Sequence, residues 1–87
     1  MRLERIEVTT RNHYSGAQEP MELKWRGRRY RVVAVEDRWY EGYMASHRVP
    51  MRYYRVLVDT GERFLVRYHE LFDAWSLVVP QGEGAAP

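Results

Sequence analysis

The stretch MRYYRVLVDTGERFLVRYH, residues 51–69, leaves little freedom in how this chain can fold. Two alternating apolar and polar runs flank Asp59, Thr60 and Gly61. A glycine in the third loop position supplies the left-handed backbone that closes a bulged three-residue hairpin loop. The register follows: Val58 faces Glu62, Val56 faces Phe64, Tyr54 faces Val66, and Arg52 faces Tyr68. Side chains alternate along a strand, so Tyr54, Val56, Val58, Phe64, Val66 and Tyr68 share one face, the core side. The other face collects Tyr53, Arg55, Leu57, Arg63, Leu65 and Arg67, and is amphipathic and basic.

A second hairpin is written into PMELKWRGRRYRVV, residues 20–33. With Arg26 and Gly27 as a two-residue turn, Trp25 pairs with Arg28, Lys24 with Arg29, Leu23 with Tyr30, Glu22 with Arg31, and Met21 with Val32. Met21, Leu23, Trp25, Tyr30 and Val32 then lie on the core face, with Glu22, Lys24, Arg29 and Arg31 opposite. A three-residue loop would mix the faces, so the alternation selects the shorter turn.

Residues 3–8 read as a short strand with Ile6 and Val8 on one face, and AWSLVV, residues 74–79, as a last strand. Between them, Thr9 to Glu19, with His13 and Tyr14, reads as a mobile polar loop, and Glu36 to Pro50 as an aromatic-rich loop with room for one helical turn, whose Trp39 and one tyrosine either plug an open end of the sheet or serve a functional surface. Five or six short strands joined by hairpin turns imply an all-β fold with little helix, an antiparallel meander or a small, partly closed barrel. One domain spans residues 1–79, with its motifs in 20–79, and PQGEGAAP, residues 80–87, reads as a disordered tail.

At 87 residues the chain has room for one core and no large internal cavity. It contains no cysteine, which excludes disulfides and thiolate zinc sites. The start MRLERIEVTT lacks the apolar stretch of a signal peptide and no run approaches a membrane span, so the expectation is a soluble cytoplasmic protein without membrane contact. The net charge of +2 means that any attraction to nucleic acid must come from how charge is distributed. Lys24 is the only lysine among 14 cationic residues, and arginine both pairs with phosphate in bidentate fashion and stacks on aromatics.

The residues WRGRRYRV, then Trp39, YYRV at Tyr53 to Val56, and the closing Trp75 resemble a small uncharacterised bacterial domain. That domain is found alone and at the C-terminus of ImuB-type Y-family polymerase-like proteins, and the resemblance covers roughly Pro20 to Val79. It implies an accessory module near DNA-damage tolerance, with a DNA-repair protein as a partner, and it carries over no catalytic residue.

Enzymatic chemistry finds no foothold in the motifs. His13, His47 and His69 lack the paired spacing of metal ligands, Ser46 and His47 are neighbours with no nucleophile elbow around them, and the glycines form no phosphate loop. The expectation is a non-enzymatic binding module without metal or cofactor. Small-barrel single-strand binders set arginines along a groove for phosphates and aromatics on the sheet for bases. Arg29, Arg31, Arg55, Arg63 and Arg67, with Tyr53 and Trp39 as stacking groups, are the candidate surface for single-stranded DNA or RNA. Two alternatives stand beside it: Glu22, Glu36 and Glu62 neutralise these arginines in cross-strand pairs, or an exposed sheet edge accepts a protein partner's strand.

Overall fold

The computed structural model describes residues 2–12, 18–41 and 50–80. They form six antiparallel strands: β1 (Arg2–Asn12), β2 (Gln18–Trp25), β3 (Arg28–Glu41), β4 (Met51–Val58), β5 (Arg63–His69) and β6 (Ala74–Val79). Each strand pairs with its neighbours in sequence, and β6 returns to β1, closing a small barrel. No helix occurs among the described residues, so none is long and apolar enough to cross a membrane.

Both hairpins adopt the registers that their alternation requires. In β2–β3, Trp25 faces Arg28 and Leu23 faces Tyr30, around a turn in which Arg26 and Gly27 both have positive φ, 51° and 77°. This is the geometry that matches the twist of a two-residue hairpin. In β4–β5, Val56 faces Phe64 and Tyr54 faces Val66, while the loop closes with Val58 N–H donating to Glu62 O at 3.0 Å and Gly61 at φ 90°. The inward side chains form one core around Leu23, Val56, Val58, Val66 and Leu77.

Three departures from strict alternation reshape the rest. Thr9 pairs with Glu22 and Thr10 with Pro20, so Met21 is bulged out; it is 41% exposed instead of facing the core, and Pro20 is buried. On β3, Val33 and Glu36 are bulged, since Val32, Ala34, Val35 and Asp37 face Val58, Leu57, Val56 and Arg55 in turn. Bulges bend and twist a strand. Here they let β3 give its first residues to β2 and the remainder to β4.

The segment expected to be a loop from Glu36 onward is therefore strand as far as Glu41, and β1 and β2 extend to Asn12 and Gln18 into the expected polar loop. The bulges hide the two-residue period that would have announced these extensions. His13, Tyr14, Ser46, His47 and the tail after Pro80 lie outside the described residues.

The two barrel ends differ. At the end holding the Arg26–Gly27 turn, Glu4 accepts hydrogen bonds from Trp25 Nε1 at 2.8 Å and from Arg26 at 2.7 and 3.1 Å, while the Arg26 guanidinium lies 4.4 Å from the Trp25 ring centroid. Beneath this cap Phe64 meets Trp25 and Tyr30 edge-on, at 5.5 and 5.1 Å. The opposite end carries Trp39, Tyr40, Leu71 and Phe72, all exposed.

Candidate nucleic-acid interface

Trp39 and Tyr53 sit opposite each other on the outer face of β3 and β4, because the second bulge of β3 brings Trp39 into register with Tyr53. Their rings stack at 5.2 Å and 8°. Tyr53 is only 7% exposed while Trp39 is 37% exposed, so Trp39 is the free surface of the stack and Tyr53 its support. Tyr53 is thus covered on the ring face that it was expected to offer to a base. Burial, and then the Glu41 carboxylate beside it, raises the Tyr53 hydroxyl pKa.

Two cations frame this platform. Arg55, two residues along β4 on the same face, has its guanidinium carbon 5.9 Å from the Trp39 ring centroid. Arg67 faces Tyr53 from β5 and reaches its hydroxyl. Neither forms an ion pair among the described residues, although Asp37 lies opposite Arg55 in the register; an Asp37 carboxylate oxygen accepts the Arg38 backbone N–H at 2.9 Å.

The remaining sequence candidates lie elsewhere on the outer face. Arg63 is paired with Glu36 at 2.8 Å, a contact that raises the Arg63 pKa further. Arg29 is 3.4 Å from Glu22. These two contacts realise the neutralising pattern, whereas Glu62 instead accepts the Thr60 hydroxyl at 2.8 Å. Arg31 has no ion pair among the described residues, but its backbone exchanges contacts with Asp59, which lies four residues from Arg55, about 13 Å along a strand. The two hairpins therefore do not present one unbroken basic strip; Glu36, Asp37 and Asp59 interrupt it.

Beside the platform lies a cleft of about 250 Å³ that sequence reasoning did not foresee, lined by Glu19, Arg38, Tyr40, Arg52 and Tyr54 together with the Trp39–Tyr53 pair. It opens between Glu19 of β2 and Arg38 of β3, well past Glu22 and Arg31, where the pairing of β2 with β3 has ended and β3 pairs with β4. Arg38 is paired with Glu19, and Arg52 with Glu70, so two guanidinium–carboxylate pairs hold its rim. The Arg52 guanidinium also lies 5.4 Å from the Tyr40 ring centroid. Only the bulged register brings these residues together, and no spacing in the sequence signals it.

Among the described residues no group of three or more His, Asp or Glu side chains converges as metal ligands do. The fold and this face define a small closed β-barrel with an aromatic platform flanked by arginines. No protein-family model, no curated protein and no solved structure matches the chain.

Proposed function

We propose that this protein is a non-enzymatic module that binds single-stranded nucleic acid, with Trp39 stacking on a base and Arg55 and Arg67 meeting the adjoining phosphates. The observation that carries the reading is the Trp39–Tyr53 stack: an exposed indole held flat by a buried tyrosine, with two arginines that have no carboxylate partner among the described residues. A fixed ring costs little to order on binding, and every base offers a π-face, so recognition is tolerant of sequence. The resemblance to the domain of ImuB-type proteins supports DNA-damage tolerance as the setting. Titrating a labelled single-stranded oligonucleotide with the protein and with Trp39→Ala tests it. The proposal requires binding at low salt that weakens in the variant.

A second reading has its own observation. Beyond Arg31, β3 pairs only with β4 among the described residues, so its other edge can accept an extended peptide from a protein partner. Strand addition rests on backbone hydrogen bonds and depends far less on salt than phosphate binding does.

A further inference from the structure

The outer-face register carries the platform beyond β3 and β4. Trp39 faces Tyr53, Tyr53 faces Arg67, Arg67 faces Ser76, and Ser76 faces Arg5. These residues form one row across β3, β4, β5, β6 and β1, perpendicular to the strands. Their chain neighbours Val66, Trp75, Leu77 and Ile6 are buried in the core, so the row itself faces outward. Arg5 is exposed, and Arg67 and Ser76 are half-buried. Adjacent strands lie about 4.8 Å apart, so the row runs about 19 Å around the barrel from Trp39 to Arg5.

The positive charge of this row is not cancelled within the described residues, where neither Arg67 nor Arg5 forms an ion pair. Glu4, next to Arg5 in the chain, lies on the other face of β1, where Trp25 and Arg26 hold its carboxylate. Glu7, two residues from Arg5 on the same face, has Lys24 as its cross-strand partner. The flanking rows differ. One runs from Asp37 through Arg55 to Leu65, Val78 and Leu3, so it begins on a carboxylate and ends aliphatic. The other holds Glu41, Met51, His69 and Ala74, without an arginine, and its Glu41 is tied to the Tyr53 hydroxyl. Toward Arg31 the way is crossed by Glu36, Asp37 and Asp59. A polyanion that leaves Trp39 therefore meets cations without carboxylates only along the row that ends at Arg5.

We propose that a bound single strand crosses the β-strands along this row, with a base on Trp39, phosphates on Arg67 and Arg5, and the Ser76 hydroxyl donating to a phosphate oxygen between them. This path rests on the single-strand reading above and adds Arg5 and Ser76 to it. Arg5, in place of Arg31, is then the third phosphate contact beside Arg55 and Arg67.

Salt titrations with a labelled homopolymer of about 12 nucleotides test the path. Arg5→Gln should flatten the slope of log affinity against log salt by about 0.7, the share of one phosphate contact on a single strand. Arg31→Gln removes the same charge from the same molecule and should leave the slope as in wild type, which separates a contact from a change in net charge. Arg5→Lys should restore the wild-type slope. Ser76→Ala should lower affinity several-fold without changing the slope, because a neutral hydroxyl displaces no counterion. Equal slopes for Arg5→Gln and Arg31→Gln would overturn the path. If Trp39→Ala still weakened binding in that case, the single-strand reading would stand without it. A wild-type protein that binds no single strand at low salt would overturn both.

Discussion

Trp39 lies parallel to Tyr53 at 5.2 Å on the outside of the barrel, and the more buried ring of the two is the tyrosine. The pair is a platform with a support. Trp39→Ala should lower affinity for single-stranded DNA by about 1 to 3 kcal/mol, the worth of one base–aromatic stack, with some loss of thermal stability as Tyr53 is uncovered but with the fold retained. Tyr53→Phe keeps the supporting ring and should bind nearly as well. Anisotropy titrations with a labelled homopolymer measure both; equal affinity for wild type and Trp39→Ala would mean that the indole only packs.

The hairpin registers make a contrast between neighbours. Phe64 is buried and meets Trp25 and Tyr30 edge-on, so Phe64→Ala should cost about 3 to 5 kcal/mol in chemical denaturation. Arg63→Ala removes an exposed side chain and its surface pair with Glu36, and should leave the midpoint nearly unchanged.

Acid stability should depend on Glu4. The Arg26 guanidinium, and then the Trp25 N–H, hold its carboxyl at a pKa of about 2, below the ordinary value of 4.5. A pKa lowered in the folded state contributes stability that is full above about 4.5 and is lost as pH falls toward about 2. Melting temperature followed from pH 6 downward, to about pH 2, should therefore fall less steeply in Glu4→Gln than in wild type. Parallel curves would show that the cap does not stabilise the fold in this way.

Much of this architecture was legible because it is local. The Arg26–Gly27 and Asp59–Thr60–Gly61 turns fix their hairpins within a few residues, and the alternation on either side allows one register each. The course of β3 was not legible, since bulges at Val33 and Glu36 shift the inward and outward positions and make a strand read as a loop. For the same reason Trp39 and Tyr53 were visible as aromatics but not as partners. The arginine pairs were only partly legible: Glu22 and Glu36 find Arg29 and Arg63, and Arg52–Glu70 follows from the β4–β5 register, whereas the Arg38–Glu19 pair joins β3 to β2 past the point where their pairing ends and depends on the bulges.

The salt dependence of single-strand binding bears most directly on the proposed function. Of the five candidate arginines, Arg29 and Arg63 are already paired, which leaves Arg55 and Arg67 at the platform and Arg31 further along to reach phosphates. Two or three such contacts give a slope of log affinity against log salt of roughly −1.4 to −2.1. Replacing Arg55 and Arg67 together by glutamine should flatten it by about 1.4, while Trp39→Ala should weaken binding and leave the slope alone, because stacking releases no counterions. The account predicts that these two variants separate in this way. No binding to single strands at low salt, or one common slope for wild type and both variants, would contradict it and turn attention to the free edge of β3.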